Sequence, residues 1–99
     1  MILRIVRMEF EEAAVPAFLA VFAQFKDQIR NQPGCSELRL MVDADHANVY
    51  YTHSSWQSVD DLNRYRESAT FKAVWPLTKQ HFSAPPQAYS LQLVLEVCA

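Results

Sequence analysis

Three histidines, His46, His53 and His81, are the only side chains here whose ordinary pKa lies close to neutrality. Their spacing fits no metal site, and with Cys35 and Cys98 they make no zinc-type pattern. The single glycine, Gly34, rules out G-x-G-x-x-G and phosphate-loop motifs, so no flavin, nicotinamide or nucleotide site of the usual kind is expected. A serine elbow and a spaced carboxylate pair are also missing. One oxidation needs none of these. An electron-rich phenol or hydroquinone, once deprotonated, passes an electron to O2 itself. The protein then supplies a dry aromatic pocket, a base and a polar group that holds the oxyanion. His53 is the first candidate for the base, against the plainer reading of a histidine bonded to a neighbouring strand or a second subunit. Tyr51 shares its strand face, while His81 near the end of the last helix is a second, more solvated candidate. Arg4 and Arg39 sit on expected strands, as salt-bridge residues or as partners for an oxyanion.

The elements that must position these side chains are legible from periodicity. Residues 2–10 alternate, with Ile2, Arg4, Val6, Met8 and Phe10 on one face and Leu3, Ile5, Arg7 and Glu9 on the other. From Ala13 to about Asn31 the period lengthens, and Val15, Phe18, Leu19, Phe22, Phe25 and Ile29 form the apolar stripe of a helix. Pro33-Gly34 ends it, and Gly34 is expected at a bend needing positive φ. A second strand from about Cys35 to Val42 faces Leu38, Leu40 and Val42 one way. The polar turn 43–48 then leads into a third strand, Val49 to Trp56. Ser58 caps a helix with Asp60 and Asp61 in its first turn, and Ser68 caps another segment. Pro76 inside that segment predicts a kink or two short helices. After Pro85-Pro86 the alternation of Tyr89, Leu91, Leu93, Leu95 and Val97 predicts a last strand.

The order is β-α-β-β-α-β, a ferredoxin-like α+β fold in which two crossover helices cover one face of a four-stranded antiparallel sheet. All 99 residues make one domain. Apolar residues on both strand faces leave the other side in need of cover, and a homodimer pairing sheet on sheet provides it. The hydrophobic content of 51% fits a dense core plus a covered surface. A net charge of -2 with mixed signs has no footprint for nucleic acid or an anionic membrane, and the apolar runs are too short to span a bilayer. The opening residues lack the features of a signal peptide, and the two cysteines read as free thiols, so a cytoplasmic location is expected.

Trp56-x-Ser58-x-x-x-Leu62-x-x-Tyr65-x-x-Ser68-x-x-Phe71, placed after that first half, carries a family likeness. With the Ile2-to-Phe10 strand and Pro33-Gly34-Cys35 before Leu38 and Leu40, the chain resembles antibiotic biosynthesis monooxygenase domains over nearly its whole length. The resemblance implies a dimeric α+β barrel with a pocket between each subunit's helices and its sheet. It implies that Tyr65 and Trp75 wall this pocket. Many members have His where this chain has Tyr65 and Glu where it has Ser54. Haem-degrading members use Asn, Trp and His at positions held here by Val6, Tyr65 and Trp75, so haem degradation by that route is not expected. The reading is a cofactor-independent monooxygenase acting on a quinol-like or polycyclic phenolic compound. His53 would be its catalytic base, and Tyr65, Trp75, Tyr51, Arg4 and His81 would bind substrate. The rivals are a non-catalytic protein that binds or senses a small aromatic molecule, and an isomerase or lyase on the same barrel.

Overall fold

The computed structural model describes residues 1–98. Strand β1 (Ile2–Glu9) leads through a short 3-10 turn, Glu12–Ala14, into helix α1 (Val15–Arg30). Next come β2 (Cys35–Val42), β3 (Val49–Trp56), α2 (Val59–Arg66), α3 (Ala69–Lys79) and β4 (Gln87–Gln92). The strands form one antiparallel sheet in the order β2-β3-β1-β4, with the helices packed on one face.

Local chemistry explains the boundaries. The Ser58 and Ser68 hydroxyls each accept the amide N–H three residues on, from Asp61 and Phe71, both at 3.1 Å. Gly34 sits at φ +83°, where a side chain is strained, and a Cβ there would also collide with the Asp61 carboxylate. Asp43 closes the β2–β3 turn by accepting the backbone N–H groups of Asp45 and His46 at 3.0 and 3.1 Å. An irregularity in the ladder between Cys35 and Glu37 inserts one extra residue. Cys35 and Leu38 therefore share a face despite their odd spacing.

The register assigns every strand residue to a side. Leu38, Ser54, Arg4 and Ser90 make one cross-sheet row beneath the helices, with Leu40, Thr52, Val6 and Ala88 beside it. The opposite, uncovered face carries the rows Arg39–His53–Ile5–Tyr89 and Met41–Tyr51–Arg7–Gln87. Three apolar clusters seal the covered side: Trp56 with Ile2, Cys35 and Leu62; Met8 with Phe10 and Phe18; and Phe25 with Ile29 and Val74. Trp56 and Phe10 have no exposed surface. Burying side chains of this size contributes roughly 1.5–3 kcal/mol apiece, so these anchors set the sheet–helix spacing.

Three expectations change. The last strand ends at Gln92 instead of Val97. The ladder shows the difference, because Gln92 pairs with Ile2, the first residue of β1, and the β1–β4 pairing stops there. Leu93, Val94, Leu95 and Val97 consequently stand 54–96% exposed. Pro76 does not split its segment, and α3 runs through it as one helix. Val74 and Thr78 on either side are buried, and that packing outweighs one missing backbone hydrogen bond. The first helix is preceded by the 3-10 turn, so its α-helical part begins at Val15 with Pro16 near its start.

Candidate functional site

The covered side of the sheet is not filled. Between β1, β2 and β3 below and α1, α2 and α3 above lies a cavity of about 100 Å³. Its walls include Val6, Phe22, Leu38, Phe71 and Val74. The polar side chains lining it are Thr52, Ser54, Tyr65, Trp75 and Thr78. Two of these are already engaged. Ser54 Oγ accepts the Trp56 indole N–H at 2.9 Å, and Thr78 Oγ1 donates to the Val74 carbonyl at 2.9 Å. Among the described residues, the Tyr65 hydroxyl and the Trp75 indole N–H make no hydrogen bond within the chain. Each is an amphipathic ring with a free polar tip at an apolar wall, which suits an aromatic ligand carrying oxygen.

A ladder of aromatic contacts holds these two rings. Tyr65 stacks on Trp56 with ring centres 5.0 Å apart and meets Phe71 edge-on at 5.3 Å. Phe71 stacks on Trp75 at 5.7 Å, and Trp75 in turn meets Phe82 edge-on at 5.6 Å. Such pairs contribute about 0.5–1.5 kcal/mol beyond burial and fix ring planes, so the wall is preorganised. Burial, aided by the nearby Cys35 thiol, pushes the Tyr65 phenol well above its ordinary pKa. Burial thus favours the neutral phenol, which carries an O–H able to donate a hydrogen bond.

Cys35 itself is buried, and burial raises its thiol against the opposing effects of the Glu37 backbone and Arg30. Arg30 is tied down by donating to the Cys35 carbonyl at 2.7 Å. The thiol is a packing group here.

Outside the cavity but sharing Val6, Phe71 and Trp75 with it lies a larger pocket of about 340 Å³, lined also by Arg4, Arg66, Pro86 and Ala88. Arg4 donates to Ser90 Oγ at 2.9 Å across the β1–β4 ladder. Its guanidinium pKa is lowered, first by burial and then by the charge of Arg66.

The structure thus gathers Tyr65, Trp75 and Arg4 around adjoining cavities on the helix side. His53 and Tyr51 do not join them. Cross-strand pairing puts His53 beside Ile5 and Arg39, and Tyr51 beside Arg7 and Met41, on the uncovered face. Tyr51 is occupied there, donating to Asp43 Oδ1 at 3.3 Å and sustaining the raised pKa of Arg7. A base role for His53 inside this cavity is incompatible with strand parity, since adjacent residues of a strand point to opposite faces. His81 lies in the turn after α3, lines neither cavity, and contributes its backbone carbonyl to the Glu11 amide N–H at 3.1 Å. Arg39 pairs with Glu37 on the uncovered face. Thr52, Ser54, Phe71 and Arg66 also line these cavities, although sequence reasoning assigned none of them a site role: Ser54 and Phe71 appeared only as positions of the family likeness. The alternation of β3 held the signal for Thr52, and nothing local marked Arg66.

A family model for antibiotic biosynthesis monooxygenase matches residues 1–75. The chain belongs to the antibiotic biosynthesis monooxygenase family. Its fold is similar to that of a putative antibiotic biosynthesis monooxygenase from Bordetella bronchiseptica. That likeness has a TM-score of 0.84 at 26% identity and covers 95% of this chain and 97% of the other. A putative member from Caulobacter crescentus matches with a TM-score of 0.88 at 22% identity, over 95% and 90% of the two chains. A cofactor-independent oxygenase from Streptomyces nogalater, SnoaB, matches with a TM-score of 0.85 at 18% identity, over 97% and 95%. No curated protein matches the chain by sequence. In this family member the motif segment Trp56–Phe71 supplies the cap of α2, the Tyr65 ring and the cap of α3. The motif is the frame of the cavity wall.

Proposed function

We propose that this chain is a cytoplasmic, homodimeric, cofactor-independent monooxygenase that oxidises a quinol-like or polycyclic phenolic compound with O2. The observation that carries the reading is the aromatic cavity under α3, with two unpartnered donors, Tyr65 and Trp75, at its wall. A phenol bound there as its anion gives an electron to O2. One oxygen atom enters the ring to make a quinone, and the other leaves as water with the two hydrogens displaced. The aromatic walls exclude bulk water, and the protonated Tyr65 hydroxyl and Trp75 N–H hold the substrate oxygens where negative charge develops. The likeness to a cofactor-independent oxygenase supports this chemistry over other uses of the fold.

The homodimer is supported by the uncovered sheet face and by the tail beyond it. Tyr89 and Leu91 on that face are half exposed, and Leu93, Val94, Leu95 and Val97 continue as exposed apolar residues with no strand partner among the described residues. Exposed edges of this kind invite pairing with another chain. Truncation after Gln92 is expected to convert the dimer to monomer in light scattering. An unchanged mass for the truncated chain rejects this interface.

Oxygen uptake with a panel of hydroquinones and hydroxynaphthalenes tests the enzyme reading. Wild type and His53→Ala are expected to turn over, and Trp75→Leu to lose most activity. No uptake on any compound, or loss on His53→Ala with the dimer intact, rejects it. A second reading is favoured by one observation: no histidine and no carboxylate lines the inner cavity. A protein that binds an aromatic compound without changing it needs no such group, and tight binding without oxygen uptake identifies it. The isomerase or lyase alternative requires an acid–base residue in the cavity and lacks this support.

A further inference from the structure

Arg4 and Arg66 come from distant parts of the chain, yet both line the outer pocket against Phe71 and Trp75. One projects from the middle of a central strand and the other from the last turn of α2. Among the described residues neither makes an ion pair, although the other ion pairs of the molecule engage Arg7, Lys26, Arg39, His46 and Arg64. The end of α2 favours a cation at Arg66 through the helix dipole. That does not account for Arg4, a half-buried cation on a strand that shares its pocket with a second cation and has, among the described residues, one serine hydroxyl as its side-chain partner. Two like charges lining one pocket without a carboxylate repel one another, and an anion between them relieves that repulsion.

We infer that Arg4 and Arg66 form an anion-binding subsite at the mouth of the cavity, selecting aromatic ligands that carry an ionised oxygen. The inference rests on the proposed aromatic cavity and specifies which aromatic compounds enter it. Ser90 steers one face of the Arg4 guanidinium and leaves its other N–H groups free. The stacked pair Phe71–Trp75 offers the ring surface next to those charges. The shared chemistry is an oxyanion on an aromatic ring, and its source is either a carboxylate substituent or an ionised hydroxyl. A hydroxyl held there ionises more readily, which supplies the anion that reacts with O2 in a cavity without a base of its own.

Quenching of tryptophan fluorescence by three nitroaromatic probes tests this in mildly alkaline, low-salt buffer with the full chain. The probes are 4-nitrobenzoate, 4-nitrophenolate and the uncharged 4-nitroanisole. At least one anion is expected to bind about tenfold or more tighter than the anisole, and Arg66→Met to bring that anion's binding down to the level of the anisole on the same variant. Arg4→Met is expected to act in the same direction. Arg66 is exposed, so its variant folds even where a change in β1 does not. A preference for the benzoate alone or the phenolate alone names the source and upholds the subsite. Equal binding of all three probes, or an anion margin that survives Arg66→Met, overturns the subsite and leaves the aromatic cavity standing. Binding of none overturns the cavity reading itself.

Discussion

Substitution of Tyr65 by Phe and by Ala separates what this residue does for the fold from what it does for a ligand. The ring stacks on the fully buried Trp56 and meets Phe71, linking two of the three apolar clusters. Removing it in Tyr65→Ala leaves a hole beside Trp56, for which large-to-small aromatic changes lose roughly 3–5 kcal/mol. In a chain of this size about 3 kcal/mol lowers Tm by roughly 12–24 °C, a large part of total stability. Tyr65→Phe keeps the stack and deletes only a hydroxyl that has no protein partner among the described residues. Its stability is expected to stay within about 0.5 kcal/mol of wild type, since an unpaired hydroxyl at an apolar wall contributes little. Function should respond in the other order. If the hydroxyl donates to a developing oxyanion, Tyr65→Phe lowers turnover by about 10- to 100-fold with the fold intact. Thermal melts monitored by circular dichroism, paired with oxygen uptake on the best hydroquinone, read both quantities. A Phe variant that melts like the Ala variant, or one with full turnover, refutes this division of labour between ring and hydroxyl.

Two further outcomes rest on local geometry. Gly34→Ala puts a side chain at positive φ and against the Asp61 carboxylate, so about 2 kcal/mol or more of stability should be lost, read as a Tm drop of roughly 8 °C or more; a change under about 2 °C would show that the α1–β2 corner relaxes freely. Exposed Cys98 should alkylate rapidly in the native protein and buried Cys35 only on unfolding. Because burial raises the Cys35 thiol in the folded state, its contribution to stability is complete below the unfolded thiol pKa and declines as pH rises through the folded one. Cys35→Ala should flatten that alkaline decline in denaturant titrations, and an unchanged slope argues against it.

Much of this molecule was determined by residue order alone. Alternation in 2–10 and 49–56, the helical stripe from Phe18 to Ile29, and the serines at 58 and 68 specify elements through interactions spanning a few residues. Gly34 belongs with them, because positive φ is a property of one residue. The tertiary structure decided the rest. Strand parity groups His53 with Tyr51 and Ile5 with Leu3, but both faces of these strands are apolar enough to be buried. Only the docking of α1 and α3 selects which face becomes the cavity. The end of the last strand at Gln92 depends on where β1 begins, not on the continuing alternation of Leu93, Leu95 and Val97. The placing of Arg4 and Arg66, 62 positions apart, in one pocket likewise required the sheet register and the course of α2 together. Short-range preferences choose elements, whereas a site is a coincidence of long-range contacts whose geometry no single segment contains.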